Sequence, residues 1–321
     1  MAINPDKLNK ARSSFEALKP RMETVIRGKP EVIDMVLVCL LGRGHLFLED
    51  LPGMGKTTLA YALARALDGS FQRIQFTSDL LPVDVLGGSA YSEKLKDFEF
   101  KKGPVFANFI LADEINRTTP KTQSALLEVV DRGRVSIGGE THEVGRPFMV
   151  FATQNPVDFE GTFPLPDSQM DRFFMRMEMG YPATADELEL LRTGSRHYDE
   201  LEQEPIVSLD EVHQWQSLVK GVFMEDSLLG YMLHLVTATR RESTFQCGIS
   251  PRGALALKLA CQARALYQGR EYVIPRDVQA LLVPVCGHRL KTTSHGSDPM
   301  EERRWIESVL THILDAPPVP R

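Results

Sequence analysis

Cysteine is scarce in this 321-residue chain, four in all, and no two of them form a C-x-x-C pair. Cys39, Cys247, Cys261 and Cys286 each lie in apolar, helix-like surroundings. That excludes a disulfide framework and a thiolate metal site, and the four are expected to be reduced core residues. The eight histidines lack H-x₃₋₅-H and H-E-x-x-H spacing, which removes the usual zinc patterns. Long apolar runs are missing too: the longest, Met35-Val-Leu-Val-Cys-Leu-Leu41, is far short of the roughly 20 residues of a membrane-spanning helix. The first residues, Met1-Ala-Ile-Asn-Pro-Asp-Lys7, show no apolar leader, so a cytoplasmic location is expected. There is no excess of basic charge, with 37 Lys and Arg against 43 Asp and Glu, which argues against a chain built to coat nucleic acid. What remains is an ordinary soluble composition, 43% hydrophobic and 25% charged, in a chain long enough for about two domains.

Against that background one stretch stands out. Asp50-Leu-Pro-Gly-Met-Gly-Lys-Thr-Thr58 follows the apolar run Leu46-Phe-Leu48 and precedes Leu59-Ala-Tyr-Ala-Leu-Ala-Arg65, which has helical spacing. A strand that ends in a Pro/Gly turn and opens a helix aims main-chain N–H groups and the positive end of the helix dipole at one point. The stretch reads as a phosphate-binding loop over Pro52, Gly53, Met54, Gly55, Lys56, Thr57 and Thr58. Lys56 is expected to contact the β and γ phosphates of ATP, and the Thr57 hydroxyl to ligate Mg²⁺. Asp50 departs from G-x-x-x-x-G-K-[ST], standing where the first glycine belongs.

A second apolar run, Phe109-Ile-Leu-Ala112, ends in Asp113-Glu114. An aspartate at the carboxyl end of a buried strand beside such a loop can hold Mg²⁺, and the glutamate after it can act as general base on an attacking water. The next run, Phe148 to Thr153, leads to Gln154-Asn155-Pro156. An amide there can reach between the γ-phosphate and the water, although Asn-Pro is also an ordinary turn.

From Leu46 to Met179 short apolar runs alternate with helical patterns, and Arg73 to Phe76 and Phe173 to Met177 complete a set of five strands. Most are apolar enough to be buried on both faces, which predicts a parallel sheet flanked by helices. Beyond Pro182 the strand-like runs stop. Thr184-Ala-Asp-Glu187 and Ser208-Leu-Asp-Glu211 read as capping boxes, Ser250-Pro-Arg252 as an N-cap serine with proline at N1, and Pro275 and Pro299 as helix starts. The expected organisation is an α/β nucleotide-binding core over residues 1–182 and a helical lid over 183–321, ending in the tail Ala316 to Arg321.

Ala112-Asp-Glu-Ile-Asn-Arg117, Pro120 to Glu128, Ala152-Thr-Gln-Asn-Pro156 and Leu165-Pro-Asp-Ser-Gln-Met-Asp-Arg-Phe173 together resemble the MoxR family of AAA+ ATPases, over roughly residues 25–260. The resemblance implies an AAA+ P-loop core with a five-stranded parallel sheet, followed by a helical lid. It implies further that Asn155 is the sensor, Arg172 an arginine finger acting on a neighbour's ATP, and Arg252 the sensor-2 arginine, acting on its own or a neighbour's nucleotide. Gly28-Lys29 resembles the segment that packs on adenine. Asp79 to Gly88 with Tyr91 to Gly103 looks like that clade's helix-2 insert. Arg134 to Val144, alternating about Gly138-Gly139, looks like its pre-sensor-1 β-hairpin.

The implied function is Mg²⁺-dependent ATP hydrolysis in a homo-oligomeric ring, expected to be hexameric. Such a ring does chaperone-like work on a partner, typically a von Willebrand factor A domain protein, during metal or cofactor insertion into a client enzyme. Two alternatives share the phosphate loop. A nucleic-acid motor is disfavoured by the mixed charge of the hairpin, Arg134 with Glu140 and Glu143, and by the lack of an aromatic and basic strand platform. A monomeric small-molecule kinase would have no use for a finger supplied in trans.

Overall fold

The computed structural model describes residues 5–94, 96–155, 161–194, 204–293, 299–316 and 318. Pro156 beside the expected sensor, and most of the tail from Ala316 to Arg321, lie outside the described residues.

Two helices, α1 (Pro5–Glu23) and α2 (Pro30–Leu41), lead into β1 (Leu46–Glu49), α3 (Lys56–Ala66) and β2 (Phe71–Gln75). A short helix α4 (Pro82–Leu86) and an antiparallel ribbon of β3 (Gly87–Ser92) and β4 (Asp97–Lys102) precede β5 (Phe109–Asp113) and α5 (Pro120–Arg132). A hairpin of β6 (Arg134–Ile137) and β7 (Glu140–Glu143) follows, then β8 (Met149–Gln154), α6 (Asp167–Met170) and β9 (Met175–Met177). The remainder comprises α7 (Thr184–Thr193), α8 (Leu209–Leu218), α9 (Asp226–Arg241), β10 (Phe245–Cys247), α10 (Pro251–Tyr267), α11 (Pro275–Cys286), β11 (Lys291–Thr292) and α12 (Pro299–Asp315).

The main sheet has the order β2-β5-β8-β1-β9 and every pairing in it is parallel. Its strands sort their side chains by the two-residue period: Leu46, Leu48, Leu111 and Phe151 join the core under α2 and α3, whereas Phe47, Ile110, Val150 and Ala152 join the core under α5. Both faces are thus covered, which is why these runs read as continuously apolar. Each strand named from sequence is present, with ends displaced by up to two residues.

The expected hairpin turns on Gly138 and Gly139, both at positive φ (62° and 87°), the backbone a two-residue turn of this hand requires. Its partner insert contains a ribbon that sequence periodicity did not flag, because its side chains are largely exposed on both faces. Ser208 caps α8 and Ser250 caps α10, accepting the Glu211 and Gly253 N–H groups. Thr184 does not cap α7; it is the first helical residue, with Ala183 at the flank. Among the described residues the lid is helical apart from the small ribbon of β10 with β11 and an isolated bridge between Phe223 and Tyr272. That ribbon carries Cys247 on its exposed side, so only Cys39, Cys261 and Cys286 are core thiols.

Candidate active site

β1 delivers the chain to Asp50 and α3 begins at Lys56, so the loop between them lies at the helix N-terminus, where the first N–H groups have no partner within the helix. Gly53 (φ 84°) and Gly55 (φ 90°) hold the left-handed backbone that the loop needs. A Cβ at Gly53 would meet nothing within 4 Å, so it is the backbone and not crowding that requires glycine there. Lys56 Nζ donates to the Asp50 carbonyl at 2.7 Å, laying the ammonium across the loop. Burial lowers its pKa from the ordinary lysine value, opposed by the charges of Asp50, Asp113 and Glu114. Thr57 and Thr58 are half-buried on the first turn, Met54 packs partly on the core and Pro52 is exposed.

Asp50 has its own work. Its carboxylate, only 7% exposed, accepts the main-chain N–H of Met179 and that of Gly180 (3.2 Å). This ties the start of the phosphate loop to the segment leaving β9. Lys29, flanking α2, donates to the Tyr181 carbonyl, and a Cβ on Gly28 would strike the Asp186 carboxylate. Gly28-Lys29, the phosphate loop and residues 179–186 therefore meet at one end of the molecule.

β1 and β5 flank β8, which brings the acidic pair to the same edge as the loop, outside the carboxyl ends of the strands where order and sequence part company. The Thr153 hydroxyl donates to Asp113 Oδ1 at 2.6 Å and accepts the Glu114 N–H at 2.9 Å. Arg73 places Nη2 (2.6 Å) and Nε (3.2 Å) on Asp113 Oδ2. Glu114 adopts φ 56° and ψ 50°, a strained backbone for glutamate, and its Oε2 accepts from Gln75 Nε2 (3.0 Å) and Arg117 Nη1 (3.1 Å). Asn155 follows β8 beside the loop, since the Asp50 N–H donates to the Gln154 carbonyl at 3.3 Å.

Arg172 and Arg252 lie elsewhere. Arg172 Nη1 donates to the Leu127 carbonyl at 2.7 Å, and Arg252 pairs with Asp131 (2.6 Å) and more distantly with Asp171 (3.8 Å). Leu127 and Asp131 are on the later turns of α5, whose start follows Glu114; at roughly 1.5 Å per residue they lie about 10 and about 16 Å along the helix from Pro120. Asp171 precedes β9, whose first residue pairs with Leu46, and the Phe174 N–H donates to the His45 carbonyl. Both arginines thus sit at the amino ends of the strands, away from their own phosphate loop. Buried Arg289 fixes this corner by donating to Asp171 (2.7 Å) and to the Phe173 carbonyl (2.8 Å).

Two oxygen donors of the loop edge, the Thr57 hydroxyl and the Asp113 carboxylate, are hard ligands of the kind Mg²⁺ takes alongside water and phosphate. No group of three or more His, Cys, Asp and Glu able to hold a metal alone occurs among the described residues. Sequence reasoning missed Arg73, Gln75, Thr153 and the Asp50 carboxylate. The signal available was the alternation Arg73-Ile-Gln-Phe76, which sets two polar side chains on one face of a strand between buried neighbours.

The chain is similar to known proteins over most of its length. Residues 45–175 match the model of the ATPase family associated with various cellular activities, and residues 237–312 match that of the AAA lid domain. The chain is 43% identical to the Bacillus subtilis protein YeaC over 92% of each chain. It is 38% identical to Chaperone MoxR1 of Mycobacterium tuberculosis, over 94% of this chain and 81% of that one. A crystal structure from Cytophaga hutchinsonii superposes with a TM-score of 0.88 at 35% identity, covering 98% of both chains.

Proposed function

Because this chain belongs to the MoxR family of AAA+ ATPases, we propose that it hydrolyses ATP at the edge between the phosphate loop and Asp113-Glu114, in a ring whose neighbouring subunits complete each site. The observation that carries the reading is the convergence of Lys56, the acidic pair and Asn155 at one end of the sheet, with Arg172 and Arg252 held at the other.

In this reading the main-chain N–H groups of Gly53 to Thr58 cradle the phosphates, and Lys56 exchanges its bond to the Asp50 carbonyl for phosphate oxygens. Gly28, Lys29 and the residues about Tyr181 flank the adenine. Thr57 and Asp113 would hold Mg²⁺, which when bound supplies charge neutralisation between the β and γ phosphates. Glu114, its carboxylate steadied by Gln75 and Arg117, takes a proton from the attacking water, and Asn155 orients that water against the γ-phosphate. Arg172 and Arg252 cannot serve the phosphates of their own subunit from where they sit. A copy placed with this face against the next loop would bring two guanidinium groups to the charge that develops on the transferring phosphoryl. Both arginines therefore act in trans.

The work done is chaperone-like remodelling of a partner, a von Willebrand factor A domain protein being the class that fits the family, with β3–β4 and β6–β7 as the contacting elements. Their rings are joined: Phe100 stacks on His142 at 4.1 Å and 12°, and Phe106 packs edge-on to both. Movement of one insert is thereby passed to the other.

The test separates binding from chemistry. Lys56→Ala is expected to abolish ATP binding, whereas Glu114→Gln binds ATP and hydrolyses it at least about 10²-fold more slowly. Equal loss of ATP affinity in both variants would remove the assignment, and several-fold stimulation of the wild type by DNA at low salt would favour a nucleic-acid motor instead.

A further inference from the structure

The acidic pair carries a cation of its own. Arg73 and Gln75 occupy alternate positions of β2, and the register sets Arg73 opposite Leu111 and Gln75 opposite Asp113, so their side chains share a face with Asp113 and, one strand on, with Thr153. Both oxygens of the Asp113 carboxylate are engaged. Oδ1 takes the Thr153 hydroxyl at 2.6 Å, and Oδ2 takes two N–H groups of one guanidinium, at 2.6 and 3.2 Å. The Thr153 hydroxyl is fixed in turn by the Glu114 N–H, so Oδ1 is committed to holding the strand ends together. Oδ2 is the oxygen left to face a metal or its water shell, and Arg73 covers it.

We infer that Arg73 is an exchangeable counter-cation: it neutralises Asp113 while no metal is present and withdraws when a divalent cation enters with nucleotide. The exposures of the two partners suit such an exchange. The Asp113 side chain is 15% exposed and benefits from a neutralising partner, whereas that of Arg73 is 44% exposed and can swing into water at little cost. A permanent ion cluster in this fold keeps its cations covered as well: Arg264 and Arg270 around fully buried Asp277 are each only 18% exposed, against 44% for Arg73. The consequence is that the nucleotide-free subunit binds free divalent cations weakly, and the metal is taken up as a nucleotide complex.

The inference rests on the reading of Asp113 as the carboxylate on the metal side, and the two can fail separately. Nucleotide-free protein is titrated with Mn²⁺, with free Mn²⁺ followed by electron paramagnetic resonance, for the wild type, Arg73→Gln and Arg73→Gln/Asp113→Asn. Arg73→Gln is expected to bind Mn²⁺ at least about fivefold more tightly than the wild type, as removal of a nearby positive charge requires, and the double variant to lose the gain. A folded Arg73→Gln protein no tighter than the wild type overturns the inference, as does a gain that persists in the double variant. A crystal structure of the wild type with Mg²⁺ and ADP tests the same exchange without a substitution. Arg73 withdrawn from Asp113 Oδ2 is the expected result, and an intact pair beside the bound metal overturns it. If instead Asp113→Asn leaves the Mg²⁺ dependence of hydrolysis unchanged, the assignment of Asp113 itself falls.

Discussion

Replacing Asp50 by glycine would restore the residue usual at the head of a phosphate loop, yet the structure predicts that it weakens the protein. The carboxylate accepts two main-chain N–H groups, from Met179, itself 5% exposed, and from Gly180, at a position where water has little access. Truncation orphans both donors. A buried N–H deprived of a charged acceptor costs about 2 to 3 kcal/mol and a half-buried one about 1, and the added freedom of glycine in the unfolded chain acts in the same direction. The sum is about 3 to 4 kcal/mol, which at roughly 2 to 4 °C per kcal/mol for a domain of this size lowers the melting temperature by about 10 °C. Asp50→Asn keeps one acceptor oxygen but turns an NH₂ toward the other donor, so about half that loss is expected. The bond from Lys56 goes to the Asp50 main chain and survives both changes. Thermal unfolding without nucleotide, followed by circular dichroism, is the assay. An Asp50→Gly protein that melts within about 2 °C of the wild type would refute the reasoning.

Acid should destabilise the fold through two buried histidines. His45 accepts the Val150 N–H on Nδ1, and burial pushes its pKa down to about 4; burial likewise holds His288 well below the ordinary value, helped by Arg289 and Arg176. The unfolded chain takes up a proton near pH 6.5 while folded His45 does not, so its contribution is complete above pH 6.5 and is lost as pH falls toward 4, by about 3 kcal/mol in all. Urea unfolding at pH 7.5 and pH 4.5 measures this, and His45→Gln should reduce the difference, leaving the part due to His288; an equal difference in both proteins would count against it. The two inserts supply a further check. A double-mutant cycle on Phe100→Ala and His142→Ala should give a coupling of about 1 kcal/mol in stability, whereas strict additivity would mean the stack does not join them.

The sheet was legible because each of its inner strands is a run of apolar residues ending in a polar residue with a task, as Phe109 to Asp113 and Met149 to Gln154 show. The β3–β4 ribbon was not, since exposure of residues such as Tyr91 and Phe98 removes the alternation that burial imposes. In the candidate site, Lys56, Thr57, Asp113 and Glu114 could be named from local spacing alone. Arg73, Thr153 and the carboxylate of Asp50 act across strands, through the pairing of β2 with β5 and the packing of residues 179–180, and no local pattern encodes that distance. The position of Arg252 was likewise set by tertiary contacts: Asp131 and Asp171 hold it at the amino ends of the strands, which the lid sequence by itself does not state.

The central claim is that each ATP site is completed by a neighbouring subunit, and mixing inactive subunits tests it most directly. Arg252→Ala and Arg172→Ala proteins each keep an intact phosphate loop but lack one of the two guanidinium groups, whereas Lys56→Ala brings both arginines to a dead pocket. Each alone should show little steady-state ATPase. Either arginine variant mixed with excess Lys56→Ala should recover a measurable fraction of wild-type turnover, because in mixed rings some intact loops face intact arginines. Turnover no greater than the sum of the separate proteins, with mixed assemblies demonstrated by mass spectrometry, would contradict the account.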